Sequence, residues 1–197
     1  MDSAAFRWFN RLADHTHWAH GLMRFYADDG IVLFAVLLLL AYLRGRQSSD
    51  VKVVAGAVWA GAAALVALGI GQIIGNIVAR SRPYAAMPQV HVLVDRTSDF
   101  SFPSDHATAV GAVAVGLWFV NRRIGIVALI GAVFMAVARV YAGAHYPGDV
   151  LAGLALGGIV AAAGAIVLVP LLSRLGTWTA TTPLRPLVVR ATPRSSV

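Results

Sequence analysis

The sequence predicts an all-α protein, a polytopic membrane helical bundle of about five transmembrane helices preceded by an N-terminal interfacial helix. Three observations carry this expectation. Of 197 residues, 58% are hydrophobic and 13% charged, with a mean hydropathy of +0.72, far from the usual soluble balance. Five apolar stretches approach the roughly 20 residues that a helix needs to cross a bilayer. Polar and ionisable residues gather at the ends of those stretches.

Each element follows in chain order. Residues 1–29, with "AAFRWFNRLADHTHWAHGLMRFYADD", mix tryptophan, phenylalanine and charge as an amphipathic helix at the interface would. The opening "MDSAAFRWFN" has an early aspartate and no apolar core, so no signal peptide is expected. A membrane domain is expected over residues 30–172. Its first span, Gly30–Leu43, is short and borrows a turn from "RFYADD". Val53–Val78 is long, with Gly71 and Gly75 spaced for close helix packing. Ala107–Val120 and Ile124–Ala138 form a tight hairpin around "NRR", and Val150–Leu172 is the cleanest span. Residues 173–197 are basic and rich in proline and threonine, and are expected to be a partly disordered tail. No internal repeat and no soluble second domain is read.

Charge orients the bundle. The net charge is +7; all nine acidic residues are aspartate, and fifteen of the sixteen basic ones are arginine. No basic run is interleaved with aromatics on a polar domain, so nucleic acid is not an expected partner, and membrane lipids are. Absence of cysteine excludes disulfides, thiolate metal sites and a cysteine nucleophile. The ends holding Arg44, Arg46, Lys52, Arg122, Arg123, Arg174, Arg185, Arg190 and Arg194 oppose these nine cations to Asp50 alone. The other ends nearly balance arginine against aspartate. By the positive-inside rule the first set, with the C-terminus, is expected in the cytoplasm and the second faces outward.

Three polar clusters fall on the outward side: "ARSRPY" (Arg80, Arg82), "FPSDH" (Ser104, Asp105, His106) and "ARVYAGAHYPGD" (Arg139, His145, Asp149). Alternating spans bring them to one rim, and ionisable residues at membrane depth mark function. The chemistry suits a phosphate. Arginines offer fixed-charge forks to phosphoryl oxygens. Ser104 follows a proline and opens a helix, so its hydroxyl and the following N–H groups form an anion site. Two histidines can serve as nucleophile and acid. Asp149, four residues after His145, can hold the Nδ1–H of that imidazole. No carboxylate pair or three-histidine set demands a metal, and no cofactor is expected.

"RP" at Arg82–Pro83, "PSDH" at Pro103–His106 and the R-x5-H-x3-D of Arg139, His145 and Asp149 resemble, in order and spacing, the three-part signature of the type 2 phosphatidic acid phosphatase (PAP2) superfamily. Such a match implies a PAP2/haloperoxidase-like core and a metal-free phosphohistidine mechanism. Carried over by position, His145 is the nucleophile, Asp149 its orienter and His106 the general acid and later base. Arg82, Ser104 and Arg139 bind phosphoryl oxygens. Within the superfamily, "SFPSDH", the short length and "RVYAGAHYPGDVLAG" resemble the bacitracin-resistance type of undecaprenyl-diphosphate phosphatase. Two positions depart from the broad pattern. Gly75, followed by Asn76, stands where a lysine is usual, and Ala138 stands where serine is usual. Arg80 is the expected partial replacement for that lysine, as a fourth phosphate-binding residue.

The resemblance implies a membrane enzyme that cleaves polyprenyl diphosphate outside the cell and returns carrier monophosphate to cell-wall synthesis. Phosphatidic acid or phosphatidylglycerophosphate is the same-family alternative substrate. A non-catalytic lipid-phosphate transporter is the rival of another class, although binding alone would not need two histidines and a carboxylate. Other residues draw quieter readings. His15, His17 and His20 do not share one helical face and so make a poor metal tract. Trp8, Trp18, Phe25 and Tyr26 read as interface aromatics. Asp105 reads as a first-turn acid, with substrate selection as its alternative, and His91 reads as an outer-loop residue, with headgroup contact as its alternative.

Overall fold

The computed structural model of this chain describes residues 2–190. Eight α-helices account for it: α1 (Asp2–His15), α2 (His20–Asp29), α3 (Ile31–Gln47), α4 (Val51–Val78), α5 (Pro83–Ala86), α6 (Asp105–Val120), α7 (Arg122–Tyr141) and α8 (Pro147–Thr179). No strand occurs among the described residues. Helix α6 is the centre of the bundle, packed most extensively against α8 and α4 and then α7.

Local chemistry sets the boundaries. Asp50 caps α4 by accepting the N–H groups of Lys52 and Val53 at 3.0 and 3.2 Å. Ser104 caps α6, accepting from Ala107 N–H at 3.5 Å. Asn121 closes the hairpin expected around "NRR". It ends α6 in an extended conformation and accepts from Arg123 and Ile124 N–H at 3.0 and 3.2 Å to start α7. Alanine and glycine then set the core. A methyl group at Gly157 would meet the Thr108 carbonyl oxygen, so only glycine lets α8 lie this close on α6.

The expected spans all correspond to helices, but they are unequal. Helices α4, α7 and α8 are each long and apolar enough to cross a membrane alone. Helix α3 qualifies only together with the residues before it, across a 53° bend at Gly30. The turn that "RFYADD" was expected to lend is therefore not a straight extension. Helix α6 has 16 residues, about 24 Å, short of a hydrocarbon core of about 30 Å. Its capped start sits inside the bundle, where protein rather than lipid surrounds it.

Both ends of the described chain carry defined helices and turns. The N-terminal segment is two helices joined by a short 3-10 turn, and α1 lies across α7 and α8 with Phe6, Asn10 and Ala13 buried. Trp8, Trp18 and Phe25 remain exposed, as interface aromatics would be. At the other end, α8 runs through Pro170 to Thr179 rather than stopping near 172. Residues 180–190 then fold back beneath α3, where Leu187 O accepts from the Tyr42 hydroxyl at 2.7 Å and Arg190 N–H reaches Arg46 O at 3.1 Å. Segment 173–190, expected to be partly disordered, is thus shaped by these bonds; residues 191–197, with Arg194, lie outside the described residues. The basic ends of α3, α4, α7 and α8 collect here, opposite the end that carries the three polar clusters.

Candidate active site

Four pieces of chain converge at that far end. Arg82 precedes α5, with Pro83 at its first turn. The segment from Asp95 to Ser104 leads into α6, Arg139 lies in the last turn of α7, and His145 sits in the tight link between α7 and α8. A cavity of about 290 Å³ opens among Arg82, Arg139, His106 and His145.

His145 is the hub, 1% exposed. Its Nδ1 lies 2.8 Å from the Ser101 carbonyl oxygen. A carbonyl can only accept, so the proton resides on Nδ1 and Nε2 is unprotonated. Two arginines point at that nitrogen: Arg82 Nη1 at 3.1 Å and Arg139 Nη2 at 3.3 Å. Burial first, then the charges of Arg139 and Arg82, hold this imidazole well below the usual histidine range. The site therefore presents a neutral nucleophilic nitrogen flanked by two cations.

The arginines are held from behind. Arg139 Nη1 donates to Ala27 O at 3.1 Å, and its Nε is buried without a partner. An orphaned donor on a side chain 7% exposed is what a site awaiting an anion would leave. Arg82 donates through Nη1 to Ala144 O at 3.3 Å and through Nε and Nη2 to Asp99 at 3.1 and 2.8 Å. Burial raises the Asp99 carboxyl, but the bonds from Arg82 and Thr97 outweigh it and hold the group below its ordinary range.

His106, one residue into α6, lines the same cavity. Ser104 is fully buried, and its hydroxyl is engaged in capping α6. Asp149 departs from the expected geometry. Its Oδ2 is 3.9 Å from His145 Nδ1, beyond hydrogen-bond range, because the Ser101 carbonyl occupies that place. Instead Asp149 accepts the Ser101 hydroxyl at 2.5 Å and Tyr146 N–H at 2.9 Å, the latter being half of a capping box on α8. It holds the stretch of backbone that holds the histidine.

Arg80, expected to reach phosphate, is not brought to the cavity. Its Nη1 lies 2.6 Å from Asp149 Oδ1 and its Nη2 2.6 Å from Asp2 Oδ2, with the guanidinium 3.8 Å over the Tyr146 ring. Asp105, besides opening α6, accepts from Gln72 at 2.9 and 3.1 Å. His17, His20 and His91 pack as a separate cluster of edge-on and tilted rings, and His91 Nδ1 faces Asp14 at 3.6 Å. Among the described residues no group of three or more His, Cys, Asp or Glu side chains is arranged to hold a metal ion.

Gly75 has a steric reason. A methyl group there would stand 2.9 Å from the Phe102 carbonyl oxygen, so the loop before α6 packs on α4 where a longer side chain would project. Sequence reasoning missed Asp2, Asp99 and Ser101. Asp99 and Ser101 lie just before "FPSDH", in "SDFS", but nothing in their spacing marks them.

The description "PAP2 superfamily" belongs to a family model that matches residues 56–171. The chain is 32% identical over 160 residues to the undecaprenyl-diphosphatase BcrC of Bacillus subtilis (strain 168), covering 81% of this chain and 80% of that one. It is 42% identical over 141 residues to the decaprenylphosphoryl-5-phosphoribose phosphatase of Mycobacterium tuberculosis (strain CDC 1551 / Oshkosh), covering 70% of each. Among solved structures it is similar to a transmembrane PAP2-type phosphatidylglycerolphosphate phosphatase from Bacillus subtilis, at a TM-score of 0.45 and 22% identity, over 88% of this chain and 96% of that one.

Proposed function

This chain belongs to the PAP2 superfamily and is a membrane phosphatase, and on that premise we propose that it hydrolyses polyprenyl diphosphate, such as undecaprenyl diphosphate, to the monophosphate and orthophosphate. The observation that carries the chemistry is the unprotonated Nε2 of His145 between Arg82 and Arg139. His145 Nε2 attacks the terminal phosphorus, and the bond from that phosphorus to the bridging oxygen breaks. His106 gives a proton to the departing polyprenyl phosphate. It then takes a proton from water, whose oxygen attacks the phosphohistidine and releases orthophosphate. Arg82 and Arg139 bind the equatorial oxygens, with the buried Nε of Arg139 as an unspent donor, and stabilise the charge as it spreads. Ser104 serves through the helix start that it caps. Asp149 acts on His145 through Ser101 and the backbone.

The relative of 42% identity favours a second reading, a phosphomonoester on a sugar carried by the polyprenyl phosphate. Both substrates present a terminal phosphate on a polyprenyl carrier, and release of phosphate from the two lipids, measured side by side, separates them. The mechanism itself is tested by rapid quenching of the enzyme with terminally ³²P-labelled polyprenyl diphosphate. Acid-labile, base-stable label is expected on the wild type and none on His145→Ala, whose turnover falls by several orders of magnitude. A His145→Ala protein that folds and retains a tenth or so of the rate would end the phosphohistidine reading.

A further inference from the structure

The cavity around His145 holds more carboxylates than cations. Arg82 and Arg139 face it, but so do Asp28, Asp95, Asp99 and Asp105. A pocket built simply to retain phosphate would carry the opposite balance. The carboxylates differ in what they do. Asp105 is tied to Gln72, and Asp28 stands 3.9 Å from Arg139. Asp99 takes the Nε/Nη2 edge of Arg82 with both of its oxygens. That fork is the edge an arginine offers to carboxylate and phosphoryl groups alike.

The contact is built rather than incidental. The Thr97 hydroxyl donates to Asp99 Oδ1. Thr97 is fixed in turn by Tyr84, whose hydroxyl accepts Thr97 N–H at 3.0 Å and donates to its carbonyl at 3.1 Å. Tyr84 is buried, whereas the Asp99 side chain is 53% exposed. A carboxylate on an anchored loop is thus held over a buried arginine from the open side of the cavity.

Resting on the reading of this cavity as a phosphoryl site, we propose that Asp99 is a specificity-determining residue that competes with phosphoryl oxygens for Arg82. Orthophosphate must displace Asp99 or sit beside its charge, and has only its own oxygens with which to do so. A lipid diphosphate brings a second phosphate and an apolar chain whose binding offsets the same cost. The site therefore sheds its product and discriminates against small phosphates.

The test is inhibition by orthophosphate of polyprenyl diphosphate hydrolysis in detergent micelles, with EDTA present. Asp99→Asn keeps the size of the side chain and removes the charge; its inhibition constant should fall about tenfold, the effect of one charge-assisted bond. Thr97→Val, which leaves the carboxylate but loosens it, should shift the constant the same way by less. Asp95→Asn, which removes a cavity charge that does not face an arginine fork, should move it least. An unchanged constant in both Asp99→Asn and Thr97→Val overturns the proposal. A raised constant with a lowered kcat also overturns it, and makes Asp99 a residue that positions Arg82. A wild-type protein that hydrolyses no phosphate ester and binds no orthophosphate would instead overturn the phosphatase reading, and this inference with it.

Discussion

Arg80 and Asp149 meet at 2.6 Å behind the histidine. Asp149 is completely buried, and an isolated carboxylate there would be costly. Arg80 supplies its counter-charge while Asp2 holds the other arm of the guanidinium and accepts Gly148 N–H at 2.9 Å. The first turn of α1 is thereby fastened to the first turn of α8. The pair ties the histidine-bearing link to α1, and Arg80 is not among the residues that line the cavity.

Arg80→Ala should therefore lower kcat and stability together, by about 3 kcal/mol for an uncompensated buried charge. The inhibition constant for orthophosphate should change by less than about twofold, since no phosphate contact is lost. Steady-state kinetics and thermal unfolding in micelles check both parts. A large weakening of orthophosphate binding at unchanged stability would return Arg80 to the phosphate site.

Restoring the lysine that many PAP2 proteins carry should do harm here. In Gly75→Lys the new side chain starts 2.9 Å from the Phe102 carbonyl and must push the loop that leads to Ser104. Phosphate release should fall by tenfold or more, as about 1–3 kcal/mol of overpacking is relieved by moving the site. Gly75→Ala should show a smaller loss in the same assay. An increase in activity would mean that the loop yields freely.

The distribution of cations makes a prediction about sidedness. The chain has no cysteine, so Ser98→Cys and Ser48→Cys each introduce a single thiol, at exposed positions on opposite ends of the bundle. In intact cells a membrane-impermeant thiol reagent should label the first variant and spare the second. The reverse pattern would place the cavity in the cytoplasm and favour a role in phospholipid synthesis.

The helices, and the company that their ends keep, are legible in the residues alone. Hydropathy runs, the helix start at Ser104 and the alternation of spans are local properties, each set by neighbours within a few residues. From them follow the gathering of Arg82, His106, Arg139 and His145 at one end and most of the cations at the other. The partners of those residues come from packing instead. The Ser101 carbonyl on His145 Nδ1 leaves no trace in composition, because every residue has a carbonyl and only the folded chain aims it. Arg80 and Arg82 are two positions apart and chemically identical. One meets Asp149 and Asp2 and the other His145 and Asp99, partners supplied by distant parts of the chain. Likewise Pro170 and the threonine-rich segment after it read as a helix end, yet α8 continues to Thr179 because its last turns and the chain beyond them pack on α3 and α4. Long-range contacts of this kind carry no short-range signature, so they become visible only when the chain is folded.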